Sequence, residues 1–294
     1  MAEDFKHSLT RRRFLQLSGL GAAGVLAYSG EYERHHLEIT HRTVEMARLS
    51  PALDGLRIAQ LSDIHFEQYT EPDFLRHIVE QVNRLAPDLV VLTGDYVSEG
   101  PMPKAYGAKS SYRCAEILSG IACPQRWCVL GNHDVVVDST MVTDALETHG
   151  LPVLANAHVP FERNGARLWI GGVKDIGESD PDLHLAVPRG LQTANEPVIL
   201  LAHEPDYADK VVKHGGVDLM LSGHTHGGQV RVPFIGALYT PPYGRKYVEG
   251  LFHLQNDLHL YVNRGIGTVG VPFRLDCRPE LTLITLRSPQ AVTG

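Results

Sequence analysis

Short apolar segments recur along the chain from about residue 50 onward, separated by turn-forming Gly, Pro, Asn and Asp residues. Each segment is only a few residues long and rich in Val, Leu and Ile, which is typical of a buried strand. The predicted strands are LRIAQLSD (56–63), PDLVVLTGD (87–95), RWCVLGN (126–132), ARLWIGG (166–172), PVILLAH (197–203), VDLMLSG (217–223), LHLYVN (258–263) and ELTLITL (280–286). Most of these segments lack a polar face, so we predict that the sheet is covered on both faces.

Helical patterns lie between several of the predicted strands. Apolar side chains at helical spacing share one face in residues 71–87, where a proline ends the pattern. A second helix is predicted over 139–150 with Ser139 as its N-cap, and a third ends at Gly215. The alternation of strands and helices predicts an α/β fold, with a strand-rich C-terminal third from Pro233 onward.

The first thirty residues differ from this pattern. Residues 11–15 read Arg-Arg-Arg-Phe-Leu, and a weakly apolar run rich in Gly and Ala follows to Ala27. This order is similar to a signal for twin-arginine export, which predicts an encounter with the twin-arginine translocase and localisation in the periplasm or on the outer face of the cytoplasmic membrane. A disordered basic N-terminus or a short membrane anchor is the alternative, although the run is shorter than the roughly 20 apolar residues that span a bilayer.

Charge and cysteine content narrow the function classes. The net charge is −7, and residues 1–30 contribute +2, which leaves −9 for the remainder. A net charge this negative argues against non-specific binding of nucleic acid, because contacts of Lys and Arg with phosphates supply most of the affinity of such binding. The four cysteines have no metal-ligand spacing, and both disulfides and buried free thiols remain open for them.

Polar side chains with metal-binding or acid–base chemistry follow five of the predicted strands. They are Asp63 and His65 in SDIH, Asp95 in GDY, Asn132, His133 and Asp134 in GNHD, His203 in AHE, and His224 and His226 in GHTH. A lone His at a strand end is usually structural, but ligands of open α/β sheets bind beyond the carboxyl ends of the strands. Five such ends in one sheet therefore predict a common site.

The order D-x-H, G-D, G-N-H-D, a lone His and G-H-x-H across residues 63–226 resembles the calcineurin-like metallophosphoesterase superfamily. GHTHGGQ (223–229), YVNRGIGT (261–268) and the export signal are similar to its bacterial exported subgroup. The resemblance implies a sandwich with α/β/β/α layers around two mixed sheets. It divides the chain into the signal (1–30), a linker or first edge strand (31–50), the metallophosphoesterase domain (51–288) and a tail (289–294).

The resemblance also implies a binuclear metal centre. It assigns Asp63, His65 and His226 to the first metal, Asn132, His203 and His224 to the second, and Asp95 to both. Oxygen and nitrogen ligands without thiolate favour Mn, Fe or Zn, of which Mn is our preferred expectation. Two such cations bridge a hydroxide for attack on phosphorus, and the resemblance implies that His133 assists the leaving group while Asp134 orients His133.

The sequence gives weaker signals for residues that contact the substrate than for the metal ligands. Arg264 and Arg274 are candidates for binding the substituents of the phosphate, with ordinary surface cations as the alternative, and the loop 98–112 is a candidate for shaping access. We expect a phosphodiesterase acting on a lipid-linked or cell-wall-linked ester. A phosphomonoesterase, a nucleotide-lipid pyrophosphatase and a non-catalytic metal-binding scaffold remain alternatives.

The spacing of His224 and His226 suggests how one segment serves two metals. On an extended segment, side chains two residues apart point the same way, so each imidazole could reach one of two neighbouring metals. Gly227 would let the backbone turn away from the metals without a clash.

Overall fold

The computed structural model describes residues 10–100, 103–177, 179–188, 190 and 196–289. The first nine residues of the predicted export signal and most of the predicted C-terminal tail lie outside these ranges. In the part of the chain that is described, no helix is long and apolar enough to cross a membrane.

Six α-helices and thirteen strands make up the described chain. The helices are α1 (Arg11–Ala27), α2 (Pro72–Leu85), α3 (Lys104–Leu118), α4 (Asn132–Thr148), α5 (Leu183–Ala186) and α6 (Ala208–His214). The strands are β1 (Glu38–Glu45), β2 (Arg57–Leu61), β3 (Leu89–Thr93), β4 (Arg126–Val129), β5 (Ala157–Arg163), β6 (Ala166–Gly172), β7 (Val198–Leu201), β8 (Leu219–Ser222), β9 (Arg231–Val232), β10 (Gly236–Ala237), β11 (Gly250–His253), β12 (His259–Val262) and β13 (Glu280–Arg287). All eight strands predicted from the sequence are present.

The strands form two mixed sheets and one small ribbon. The first sheet has the order β1-β13-β2-β3-β4, in which β13 runs antiparallel to β2 and the other pairs are parallel. The second sheet has the order β11-β12-β8-β7-β6-β5, with antiparallel pairs at both edges. Strands β9 and β10 pair only with each other, as a hairpin.

The two sheets pack face to face, and helices cover their outer faces. Leu89 and Val91 of β3 join a buried cluster with Ile199 of the second sheet, so these side chains lie between the sheets. Val90 and Leu92 of the same strand point the other way and pack against α2, α3 and α4. Helices α5 and α6 cover the outer face of the second sheet. These layers are the α/β/β/α sandwich that the resemblance implied.

Two local predictions were wrong. Nine of the fifteen residues of the predicted loop 98–112 belong to α3. The helix packs so closely on the segment before it that a Cβ on Gly107 would lie only 2.8 Å from the carbonyl oxygen of Ser98. Ser139 is not an N-cap, because α4 begins before it and continues through a break at Asp138, whose φ is −179°. The Asp138 carboxylate accepts a hydrogen bond from the N–H of Met141 at 3.0 Å and so caps the second half of the helix.

Candidate metal centre

The fold brings the polar strand ends of both sheets to one edge of the sandwich. Seven side chains meet there: Asp63 and His65 after β2, Asp95 after β3, Asn132 at the start of α4, His203 after β7, and His224 and His226 after β8. They lie close together because the five preceding strands end at the same side of the two stacked sheets. This is the same set that the resemblance implied as ligands.

The backbone bends sharply at most of these residues. Asp63, His65, Asp95, His224 and His226 have φ values of 52°, 48°, 58°, 71° and 52°. The left-handed region costs an L-residue roughly 1–2 kcal/mol, and such strain concentrates at functional sites. The expected extended segment at His224 and His226 is therefore wrong, since each histidine lies at a bend.

The seven residues contain two groups of possible ligands that share no member. Asp63, His65 and His226 form one group, and Asp95, His203 and His224 form the other; within each, the ligand atoms lie within 4.8 Å of one another. The Asp95 carboxylate lies between the groups, with Oδ2 3.1 Å from Nε2 of His203 and 3.7 Å from Nε2 of His65. One carboxylate is thus within reach of both groups.

Neighbouring groups orient the imidazoles. His203 donates from Nδ1 to the carbonyl oxygen of Thr93 at 2.7 Å, which turns Nε2 toward Asp95. His224 donates from Nε2 to the carbonyl oxygen of Pro242 at 2.7 Å, which leaves Nδ1 with its lone pair. A metal-binding histidine commonly has its other ring nitrogen fixed in this way.

Two buried atoms fit a cation particularly well. Asn132 Oδ1 and His203 Nε2 are buried and have no hydrogen-bond partner, although the latter lies within ion-pair distance of Asp95. A buried polar atom without a partner costs about 1–3 kcal/mol, and a divalent cation would satisfy both atoms. The donor set of carboxylate, amide oxygen and imidazole suits Mn, Fe or Zn, so the residues present fit the implied metals.

The electrostatics of the site favour bound cations. Burial, reinforced by neighbouring positive groups, lowers the pKa of His65 to about 3 and that of His224 to about 4, so both rings stay neutral and able to ligate. Burial alone would also lower the pKa of His203, but the facing carboxylates of Asp95 and Asp63 raise it well above its usual value. That position therefore attracts positive charge, whether a proton or a metal.

His133 lies beside the seven residues, and its partner is Glu99. The rings of His133 and His65 meet edge to face with centroids 4.9 Å apart, and Nδ1 of His133 contacts the Glu99 carboxylate. Burial lowers the pKa of His133, but Asp95 and Glu99 outweigh it and raise the value to about 9. Sequence reasoning missed Glu99; its only signal was a carboxylate four residues after Asp95.

The prediction that Asp134 orients His133 was wrong. The buried Asp134 carboxylate accepts hydrogen bonds from the N–H groups of Asp95 and Tyr96, both at 2.8 Å, and of Gly131 at 3.0 Å. Asp134 lies in the first turn of α4, where a carboxylate folds back over the free N–H groups. It therefore fixes the backbone that carries Asp95.

Arg264 and Arg274 do not reach the substrate side of the site, so their predicted role was also wrong. The fully buried guanidinium of Arg274 donates to the carbonyl oxygens of Gly267 at 2.6 Å and of Arg264 at 2.9 Å, behind His226. The guanidinium of Arg264 is committed to three carboxylates, those of Glu38, Glu249 and Glu280. Both cations serve the internal structure because nearby backbone oxygens and acids surround them.

A cavity of about 880 Å³ opens over the site. Its polar lining residues include Asn132, His133 and His224. Its lining also contains a largely apolar set: Leu238, Tyr239, Pro241, Pro242, Tyr243 and Val271. Among its described lining residues there is no Lys or Arg.

Two mixed sheets between helical layers, with Asp and His side chains converging at one edge, define a metallophosphoesterase. Residues 56–228 match the family described as Calcineurin-like phosphoesterase, and the chain belongs to that family. It is therefore a hydrolase that acts on phosphate ester bonds.

Similar proteins span almost the whole chain. The metallophosphoesterase YkuE of Bacillus subtilis is 35% identical over 95% of this chain and 98% of its own length. Phosphodiesterase YaeI of Escherichia coli is 31% identical over 95% of this chain and 99% of its own length. A metallophosphoesterase of Aquifex aeolicus is 32% identical over 89% and 95%, respectively.

Proposed function

We propose that this chain is a phosphodiesterase that binds two divalent metal ions, with manganese as the preferred metal for both. The observation that carries the proposal is the position of Asp95 between two groups of ligands, with His133 beside them. One cation would be held by Asp63, His65 and His226, the other by Asn132, His203 and His224, and Asp95 would bind both. When bound, such a pair lowers the pKa of water and polarises the phosphoryl group.

The protein's own residues supply the proton for the leaving group. The Glu99 carboxylate faces Nδ1 of His133 and stabilises the protonated ring, which leaves the proton on Nε2 free to move. During hydrolysis water loses one proton to the solvent, its oxygen bonds to phosphorus and the ester P–O bond breaks. His133 gives its proton to the departing oxygen and takes up another from the solvent. Asp134 holds the backbone of Asp95 in place while this occurs.

The charge of the pocket supports a diester over a monoester. A phosphodiester carries a single negative charge, whereas a monoester carries up to two near neutral pH. Arg264 and Arg274 are turned away, and the described pocket lining contains no Lys or Arg. Apart from protonated His133, no side chain of that described lining offers a positive charge to support the second negative charge. The relationship to a protein named phosphodiesterase agrees with this choice.

Export by the twin-arginine translocase is part of the proposal. Residues 1–30 would be the signal and 51–288 the catalytic domain, acting in the periplasm or on the outer face of the cytoplasmic membrane. The support is the arginine cluster at the start of α1, whose described residues are all exposed. This location favours lipid-linked or cell-wall-linked esters over nucleic acid.

The test is the hydrolysis of bis-p-nitrophenyl phosphate and p-nitrophenyl phosphate by the full chain, first stripped with chelator and then resupplied with Mn²⁺. We expect diester turnover to disappear with the metal and to return with it, at a higher kcat/KM than for the monoester. Asp95→Asn should abolish it, whereas Asp257→Asn, at an exposed 3₁₀ turn, should not. Higher monoester turnover would contradict the diester assignment, and metal uptake without any turnover would favour the scaffold alternative.

A further inference from the structure

Large apolar side chains protrude from the hairpin of β9 and β10. At its tip, Phe234 is fully exposed and Ile235 is 71% exposed. Leu238 and Tyr239, just beyond the hairpin, are 60% and 69% exposed. Single exposed apolar residues are normal, but a contiguous protruding set marks an interaction surface.

This apolar surface continues into the mouth of the metal-site cavity. Leu238, Tyr239 and Tyr243 line the same cavity as His133, while a large part of each side chain stays exposed. Val271, from a segment later in the chain, is also exposed and lines the same cavity. A molecule that enters the cavity from the hairpin side therefore passes over apolar side chains before it reaches the metal ligands.

The N-terminal helix adds a second apolar element on the same side. Helix α1 buries none of its residues and exposes Phe14, Leu17 and Leu20. Val25 near its end lines a smaller cavity together with Pro233, so the helix ends beside the base of the hairpin. Two exposed apolar elements thus adjoin one another next to the catalytic cavity.

The charge of α1 identifies the surface that these elements fit. The helix starts with Arg11, Arg12 and Arg13 and contains no acidic residue, although the chain as a whole carries −7. Apolar side chains combined with a local cluster of arginines match an anionic bilayer surface. Tyr239 and Tyr243 fit the same environment, because tyrosine favours the boundary between lipid and water.

We infer that the hairpin tip and α1 seat in the interfacial region of an anionic lipid bilayer, and that the cavity takes the phosphodiester headgroup of a membrane lipid. The second half of this inference rests on the proposed phosphodiesterase function; the first half does not. Docking in this orientation sets the cavity mouth at the depth of the headgroups, so the lipid need not leave the bilayer to reach His133.

The test measures co-sedimentation of the full chain with vesicles of phosphatidylcholine alone and of equal parts phosphatidylcholine and phosphatidylglycerol. We expect stronger binding to the anionic vesicles. The double variant Phe234→Asp/Ile235→Asp should lower that binding about tenfold or more, since it removes two large apolar side chains from the interface. Leu185→Asp is the control, because Leu185 is a large apolar residue, 52% exposed, that belongs to α5 and to neither the hairpin nor α1.

A second readout follows cleavage of phosphatidylglycerol in the same vesicles by chromatography of the lipids and of the released headgroup. The ratio of its turnover to that of bis-p-nitrophenyl phosphate should fall in the hairpin variant and stay constant in the control. Equal binding by the two variants, or no binding by the wild type, overturns the docking. Concentration-dependent dimers that the hairpin variant abolishes would make this surface an interface between copies, which also overturns it.

The two proposals fail in distinguishable ways. If the wild-type chain binds anionic vesicles but hydrolyses no soluble diester, membrane docking is supported and the proposed phosphodiesterase function is wrong. A chain that hydrolyses the soluble diester but leaves phosphatidylglycerol intact in vesicles that it binds overturns the lipid-headgroup substrate alone.

Discussion

Adding a single methyl group at Gly131 should disable the site without changing any proposed ligand. A Cβ there would lie 2.2 Å from Oδ1 of Asp95, while ordinary van der Waals contact begins at 3.4 Å. The Asp95 carboxylate would therefore have to retreat by about 1.2 Å. Gly131 has φ −106°, a value that alanine adopts freely, so the effect comes from the methyl group and not from backbone strain.

A displacement of about 1 Å in a catalytic group can cost about 100-fold in rate, equivalent to about 2.7 kcal/mol of transition-state stabilisation. We expect kcat/KM of Gly131→Ala on bis-p-nitrophenyl phosphate, with Mn²⁺ resupplied, to fall by about this factor. Bound metal, measured by mass spectrometry, should fall as well. Gly100→Ala is the control, because a Cβ at Gly100 meets nothing within 4 Å. Activity of Gly131→Ala within about threefold of wild type, at full metal content, would refute the reasoning.

Three further variants test other parts of the site. Glu99→Gln removes the carboxylate that helps to raise the pKa of His133 to about 9, so the ring should lose its proton at lower pH. The alkaline limb of the pH profile of kcat should therefore shift to lower pH. A limb at the wild-type pH would argue against the Glu99–His133 pair. Gly227→Val should reduce bound metal, because φ is +60° and its Cβ would lie 2.8 Å from both Arg264 and Cys277; wild-type metal content would contradict this. Arg274→Ala should lower the free energy of unfolding by about 3 kcal/mol, seen in urea denaturation, since it leaves buried carbonyl oxygens without donors; a change below about 1 kcal/mol would count against it.

The local sequence was sufficient for eight of the thirteen described strands and for the order of the polar residues that follow five of them. Buried strands such as β3 and β7 are continuous apolar runs, and this pattern depends on neighbouring residues alone. The polar residues that follow those runs, such as Asp95 and His203, necessarily lie at strand ends. The sequence therefore indicated a shared site at one edge before any contact was known.

Other features depend on residues that are distant in sequence. Strand β1 lies at the sheet edge because it pairs with β13, more than two hundred residues later in the chain. Glu99 reaches His133 only because the segment after β3 passes the start of α4. Neither pairing leaves a local pattern, since it arises when separate elements pack together.

The same distinction explains the wrong assignments. Asp134, Arg264 and Arg274 are residue types that catalysis and phosphate binding use, and the sequence alone suggested those roles. In the folded chain, Asp134 accepts hydrogen bonds from backbone N–H groups and Arg274 donates to backbone carbonyl oxygens, while Arg264 forms ion pairs with carboxylates. The sequence thus determined which chemistry the chain carries, whereas tertiary structure decided which groups face the cavity, because a buried polar group must bond to whatever partner packing brings within reach.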